Sequence, residues 1–371
     1  MSGPIVITGG GTGGHIFPMQ AVAEQLLARG ISADELRFVG SRRGQEATLL
    51  ASSGVALTLL PGRGIRRSFS PSAIIDNLGA GVALVTAMLV ALVKVRKWRP
   101  SVVVSLGGYA SFAVALAAAV WRRPLVLVEL DAATGAANRL LGRFATAHCT
   151  AFPSEKRNST VTGVPLRDAI VAIDRSSAVR TSSRRAYTPP IDDGRLVVIV
   201  MTGSLGSTTV NRAVSDLAAR WADRTDRTLI HVTGQRDFGA TRAARPATKG
   251  LDYRIEAFAD MTRVWAVADV AVCRAGAMTV AELAALSIAS VLVPLPGSPS
   301  EHQVKNAQAI ASVGGAMIVN DEDCTGATLD EVLGIVTDVS SLEGMSRAAG
   351  TIGRRDGANS IARVVLAARF E

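Results

Sequence analysis

The chain is expected to be an α/β protein built from two halves, each a parallel sheet with helices on both faces. Three observations lead there. Short β-branched runs alternate with apolar-periodic helical stretches along most of the chain, which is the pattern of strand–helix–strand units. One run near the start of each half ends in a cluster of glycines that opens into a helix, at residues 9–14 and 203–206. A polar stretch over 174–195, carrying Pro189 and Pro190, separates the two halves and reads as a loop or linker. For 371 residues, two domains are the natural partition.

Taken in order, Ile5, Val6, Ile7 and Thr8 form a strand. Residues 9–14 form a loop, and the run through Ala21, Val22, Leu26 and Leu27 a helix. Residues 36–40 and 55–60 read as strands on either side of a short helical run over 45–51. Pro71 suits the first turn of a long apolar helix, because its missing N–H would be unpaired there in any case. Val102, Val103 and Val104 make a strand that stops at Gly107, Gly108 and Tyr109. A helix over 111–121 and a strand over 125–128, ending at Glu129, follow. In the second half, strands are expected over 196–200, 228–233, 253–257, 270–273 and 290–293, and the last helix over 358–369. Facing sheets of this kind put their strand C-termini, where ligands bind in open α/β sheets, on either side of a cleft.

Composition narrows the function classes. Hydrophobic residues make up 48% and charged residues 19%, which suits a globular core. Aromatics are only 4%; single-stranded nucleic-acid readers need more stacking platforms, so no nucleic-acid partner is expected. The net charge of +9 suits phosphate-bearing partners or an anionic membrane face. Cys149, Cys273 and Cys324 stand far apart, and His15, His148, His231 and His302 show no metal spacing. Neither a disulfide framework nor a zinc site is expected. The N-terminus enters a strand almost at once, so no signal peptide is expected. Residues 78–93 are apolar and uncharged and end at Lys94, Arg96 and Lys97. That run is short of the ~20 residues that span a bilayer, and reads as a buried or surface-lying helix.

Two places carry chemistry. In the first half, glycines at 9, 10, 11, 13 and 14 let the backbone turn sharply and face a ligand with its N–H groups. The following helix start favours negative charge, and His15 closes the loop. In the second half, a strand ends at Arg274 and a helix start at Gly276, Ala277, Met278 and Thr279 can hold a diphosphate. Glu282, farther along that helix, can accept both hydroxyls of a ribose. His302, Gln303 and Asn306 then supply amide and imidazole groups near another helix start, suited to a sugar's hydroxyls.

Together these motifs resemble the MurG family, GT-B glycosyltransferases that add N-acetylglucosamine in bacterial peptidoglycan synthesis. The resemblance is carried by residues 10–18, 107–109, 162–167, 203–206, 273–283 and 302–307, and spans essentially the whole chain. It implies an N-terminal Rossmann-like domain over 1–163 for the acceptor and membrane, a linker over 164–195, and a UDP-sugar domain over 196–352. A C-terminal helix over 353–371 would pack back on the first domain. It implies transfer from UDP-GlcNAc to the C4 hydroxyl of MurNAc in undecaprenyl-linked lipid I, giving lipid II and UDP with inversion, and with no metal or cofactor. Carried over residue by residue, Thr12, His15 and Glu129 are catalytic, and Gly13, Gly14, His15, Gly108 and Tyr109 meet the acceptor. The donor falls to Thr12, Gly13, Gly14, Asp131, Arg167, Ser204, Phe258, Met261, Arg274, Gly276, Ala277, Met278, Thr279, Glu282, His302 and Gln303. Phe258 and Met261 would hold the uracil through backbone contacts. His15 or Glu129 could take the acceptor's proton, and His15 is the expected base. Arg63, Arg66 and Arg67, beside Phe69, Ile74 and Ile75, would form a cation-ringed apolar patch for an anionic inner leaflet, on the cytoplasmic side of the cell membrane.

Some positions depart from the family pattern. Leu130 and Asp131 stand where the family has amide side chains, and so do Val164 and Leu205. These departures keep open a related enzyme glycosylating another acceptor, and a UDP-sugar-binding membrane-surface protein that has lost catalysis. A different class, an NAD(P) oxidoreductase, is permitted by the first glycine loop with Arg42 and Arg43 near a 2′-phosphate. It leaves Arg274 and Glu282 without a role.

Overall fold

The structure, a computed structural model, describes residues 3–11, 13–61, 71–154, 158–203 and 205–369, apart from the side chains of 71–79, 109 and 299. The chain divides into two compact units. One runs to Asp168 and resumes from Arg355; the other is Ala169–Arg354.

In the first unit, β1 (Ile5–Thr8) leads into α1 (Gly13–Leu27), then β2 (Leu36–Ser41), α2 (Glu46–Leu49), β3 (Ala56–Leu60), α3 (Pro71–Trp98), β4 (Val102–Ser105), α4 (Tyr109–Val120), β5 (Leu125–Glu129), α5 (Ala136–Leu141), β6 (Ala147–Thr150) and β7 (Ser159–Val161). The seven strands lie in the order β3-β2-β1-β4-β5-β6-β7. All pairings are parallel, with Ile5 beside Leu36 and Val102. β1 and β4 are buried at every position. A strand covered on both faces needs such a continuous apolar run rather than an alternating one. β6 and β7 lie where no strand was expected from sequence.

The second unit contains α6 (Asp168–Val171), whose first residue still belongs to the first unit, and α7 (Ser177–Ala186). Then come β8 (Leu196–Met201), α8 (Thr208–Arg220), β9 (Arg227–Val232), α9 (Phe238–Ala243), β10 (Asp252–Glu256), α10 (Met261–Val267), β11 (Val270–Cys273), α11 (Ala277–Ala285), β12 (Ala289–Leu292), α12 (His302–Ala311), β13 (Ala316–Ile318), α13 (Gly326–Val336) and α14 (Val339–Thr351). Six parallel strands take the order β10-β9-β8-β11-β12-β13. Both sheets reverse direction beside their first strand, which is the doubly wound topology of Rossmann-like domains. The architecture is GT-B in type: two Rossmann-like domains with parallel sheets.

The polar stretch read as linker is not loop throughout. It holds α7, and its arginines have partners. Arg184 donates to Val267 O at 2.9 Å and pairs with Asp269 at 2.6 Å, and Arg180 reaches the same carboxylate at 3.0 Å. Arg175 also donates to the carbonyl of Ala268. The hydrophilic sequence hides a helix because charge pairing, not apolar burial, ties it down. α15 (Gly357–Ala368) belongs to the first unit. Its Ile361, Ala362 and Val365 are fully buried, and it packs on α1. A Cβ on Gly357 would lie 2.4 Å from the Val164 carbonyl oxygen, so the helix start approaches that backbone as only glycine allows.

Candidate functional site

In the first unit, two glycine turns at the C-terminal ends of β1 and β4 meet. Gly107 and Gly108 have φ of 88° and 85°, a region that favours glycine. A Cβ on Gly108 would sit 2.6 Å from Gly10 O. A Cβ on Gly107 would sit 3.5 Å from His15 Nε2. His15 is the third residue of α1, half-buried, with its ring against the second turn. Thus the Gly107–Gly108 turn meets His15 through Gly107 and the first glycine loop through Gly108, with Gly13 and Gly14 in the first turn of α1. Thr12 lies outside the described residues, and of Tyr109 only the backbone is described.

Glu129 ends β5 with its side chain 7% exposed, and Asp131 follows half-buried. Asn138 donates to Val128 O at 3.2 Å and steadies that strand end. Arg167 stacks on Phe17 of α1, its guanidinium carbon 4.3 Å from the ring centroid. Gly13 is tight against the same ring, since a Cβ there would lie 3.1 Å from Phe17 Cε2. A cation is thereby held beside the start of α1, where helix dipole and guanidinium favour the same anionic charge. Glu46, not singled out from sequence, is wholly buried below the glycine loop and accepts Gly11 N–H at 3.1 Å. That amide, which a dinucleotide phosphate would need in the oxidoreductase reading, is already taken by an internal carboxylate.

In the second unit, Arg274 follows β11 and both its terminal nitrogens are bound to protein. It donates to Val293 O at 3.1 Å, Pro294 O at 3.2 Å and Ser207 Oγ at 2.5 Å, and pairs with Asp321 at 2.6 Å. It braces four strand ends at once. Gly276 is the N-cap of α11, so the amides of Ala277, Met278 and Thr279 form the first turn. Those first amides have no acceptor within the helix.

Glu282 is 7% exposed and accepts the indole N–H of Trp265 at 2.8 Å. Trp265 is itself fully buried, so one carboxylate oxygen is held in place. His302 opens α12 after two residues with φ of 53°, Ser300 and Glu301. Gln303 accepts Leu295 N–H at 3.0 Å through its amide oxygen. Asn306, expected from sequence to face a sugar, is fully buried and donates to Ala275 O at 3.1 Å; it ties α12 to the turn before α11. Phe258 is 70% exposed, and Met261 starts α10 under the cap of Asp260, which accepts Thr262 N–H at 2.9 Å. Ser204 lies outside the described residues.

Beneath the second glycine turn runs a buried polar chain. His231 Nδ1 is 3.0 Å from Tyr253 Oη, and Nε2 is 2.8 Å from Asn211 Oδ1. Asn211 donates in turn to Thr233 O and to Asp237, each at 3.1 Å. Burial pushes the His231 pKa down to about 3, because charging it there would cost solvation that no acid repays. Trp265, Asp321 and Phe17 escaped the sequence reading of the site. Their only sequence signals are single residues whose partners are distant along the chain.

Comparison with known proteins follows these two halves. The glycosyltransferase family 28 N-terminal domain matches residues 5–150, and the glycosyltransferase family 28 C-terminal domain matches residues 197–361. The chain is 34% identical, over 99% of its own length and 99% of the relative's, to the UDP-N-acetylglucosamine--N-acetylmuramyl-(pentapeptide) pyrophosphoryl-undecaprenol N-acetylglucosamine transferase of Alkalilimnicola ehrlichii. It is 35% identical to the transferase of the same name from Anaeromyxobacter sp., over 97% of this chain and 92% of the relative. Among solved structures it is similar to Acinetobacter baumannii MurG, with a TM-score of 0.77 and 26% identity, covering 98% of this chain and 99% of that one.

Proposed function

The chain belongs to glycosyltransferase family 28, with the MurG transferases as its full-length relatives, and from that premise we propose that it transfers N-acetylglucosamine from UDP-GlcNAc to the C4 hydroxyl of MurNAc in lipid I. The products are lipid II and UDP. The observation that carries this reading is the kinship along the whole chain, which includes both domains and the motifs in each. The departures at Leu130, Asp131, Val164 and Leu205 are then tolerated drift.

The chemistry divides between the two units. In the first, the acceptor lies over the turn formed by Gly13, Gly14 and Gly108, and the His15 ring takes the proton of the attacking hydroxyl. Glu129, buried at the end of β5 two strands from β1, is the alternative acceptor of that proton. In the second, the α11 start receives the diphosphate, Glu282 the ribose hydroxyls, and the backbone at Phe258 and Met261 the uracil. The bond from C1 to the diphosphate oxygen breaks as the bond from C1 to the acceptor oxygen forms, with inversion, and UDP leaves with the electron pair. Helix amides and Arg167 stabilise its growing charge. Arg274 keeps the strand ends in register for these groups.

The protein works at an anionic membrane surface on the cytoplasmic side. The support is α3. Val82, Val85, Leu89 and Val93 are 68%, 56%, 60% and 68% exposed and share one helix face. Ala80, Ala87, Ala91 and Val95 are buried on the other. Arg96 and Lys97 close the helix, and Arg96 stacks 5.0 Å over the part-exposed Trp121. An apolar stripe with cations at its end suits insertion among anionic headgroups. Among the described residues no helix is long and apolar enough to cross a membrane. The patch expected from sequence at Arg63, Arg66, Arg67 and Phe69 lies outside the described residues, as do the side chains of Ile74 and Ile75.

The deciding experiment measures UDP release from UDP-GlcNAc with and without a short-chain lipid I analogue, with UDP-GalNAc and UDP-glucose as donor controls. Release that depends on the analogue and on UDP-GlcNAc is the expected result. Binding of UDP-GlcNAc with no such release would overturn the proposed acceptor.

A further inference from the structure

Glu46 opens the four-residue helix α2 and has no exposed surface. Its Oε1 accepts Ser41 N–H at 2.8 Å and Gly11 N–H at 3.1 Å. Oε2 is buried and has no hydrogen-bond partner, and no cation pairs with the carboxylate among the described residues. Three glycines from three segments close on it. A Cβ on Gly10 would lie 2.5 Å from Oε1, one on Gly40 2.6 Å from Cγ, and one on Gly44 1.9 Å from Oε2. The chain thus gives up side chains at three places to admit one acid. Burying a carboxylate without a cation is costly, and a hydrophobic residue would fill the space without that penalty.

What the acid holds is the loop. Gly10 and Gly11 have φ of 152° and 102°, in the region that favours glycine. The carboxylate bonds the second of them. Gly10 in turn is the residue against which Gly108 closes, and Gly107 is the residue against which the His15 ring rests. We infer that Glu46 is a positioning residue: its carboxylate oxygen sets the 9–14 loop, and through it the place of the His15 ring, before any substrate binds. Such pre-arrangement lowers the reorganisation needed at the moment of proton transfer. The inference deepens the proposed transferase reading, on which its kinetic part rests.

The test uses the full-length chain with Glu46→Gln, Glu46→Asp and Glu46→Ala. Two quantities are read. One is the His15 ring resonance by NMR, assigned with His15→Gln against only three other histidines. The other is kcat and KM for UDP-GlcNAc in lipid I-analogue-dependent UDP release. Glu46→Gln keeps an oxygen for both amides, so the ring resonance stays and kcat remains within about threefold. Glu46→Ala removes the acceptor; the resonance shifts or broadens and kcat falls by about tenfold or more, while KM for UDP-GlcNAc stays within about twofold. Should Glu46→Ala fail to fold, Glu46→Asp, which keeps the charge but withdraws it by one methylene, replaces it with the same expectation. A folded Ala or Asp variant with wild-type resonance and kcat overturns the inference. So does a Gln variant as impaired as the Ala variant. If the wild-type chain shows no lipid I-dependent release, the transferase reading falls, and the His15 resonance still decides the role of Glu46.

Discussion

His15 carries the heaviest chemical assignment on one residue. Its ring rests on Gly107 in the first unit, whereas the groups proposed for the diphosphate, ribose and uracil lie in the second unit, on α11 and at the start of α10. Replacing it should therefore affect turnover and not UDP binding. His15→Ala is expected to lower kcat by about 10²-fold or more, in the range of a general base, with the UDP dissociation constant within about twofold by calorimetry. Unchanged turnover would remove His15 from the role. Trp265 makes a complementary prediction. Its indole N–H holds Glu282 at 2.8 Å, and a hydrogen bond to a charged group contributes about 1.5–3 kcal/mol. Trp265→Phe keeps the packing and loses the donor, so UDP should bind about tenfold more weakly. An unaltered titration would mean that Glu282 does not meet the ribose. His15 and Glu282 could be picked out from sequence because each follows a glycine turn by a fixed short spacing. Trp265 and Glu46 could not, since locally one reads as an ordinary core aromatic and the other as an exposed helix carboxylate.

At the scale of elements, α3 gives the clearest case of a pattern that only packing resolves. Residues 78–93 are apolar all round, so periodicity offers no choice between core and surface. Contact with α4 buries the small residues Ala87 and Ala91 and leaves Val85 and Leu89 outside. Val85→Glu with Leu89→Glu should therefore fold normally, release UDP from UDP-GlcNAc at the wild-type rate when given a short-chain water-soluble acceptor, and lose most binding to vesicles containing anionic lipid in a flotation assay. Retained flotation would move the membrane-facing surface elsewhere. α7 is the opposite case. Its sequence reads as a linker, yet Asp269 collects Arg180 and Arg184 and makes a helix of it. β6, β7 and β13 are three- or four-residue strands without the unbroken β-branched run of β1, and they exist because an adjacent strand supplies their partners.

For the whole molecule, the buried chain through Tyr253, His231, Asn211 and Asp237 links stability to pH. His231 titrates near 6.5 when unfolded and is pushed down to about 3 by burial. Between those values the unfolded chain binds a proton that the folded chain refuses. Stability is therefore lost as pH falls from about 6.5 towards about 3, at up to about 1.4 kcal/mol per pH unit for this one group. Above that window both states are neutral and the group adds no slope. Chemical denaturation followed from pH 7 to pH 4.5 should show this decline, and His231→Gln should flatten it by about one proton. An equal slope in the variant would assign the acid sensitivity to other groups. The first unit depends on both ends of the chain in another way: α15 packs on α1, and Arg369 pairs with Glu35 at 2.7 Å.

The amino-acid sequence by itself determined the alternation of strand and helix, the two glycine turns and the spacing of His15, Arg274 and Glu282 behind them. Those features are local: they follow from backbone freedom at glycine and from apolar period. It also carried the family resemblance, through motifs distributed along the whole chain. Tertiary structure alone decided which polar residues face inward as supports. Arg274 is turned to carbonyls and Asp321, Asn306 to Ala275, and Glu46 to Gly11. The reason is that a hydrogen bond between distant segments leaves no period or spacing in either one. Such a partner is found only when the sheet brings the strand ends together.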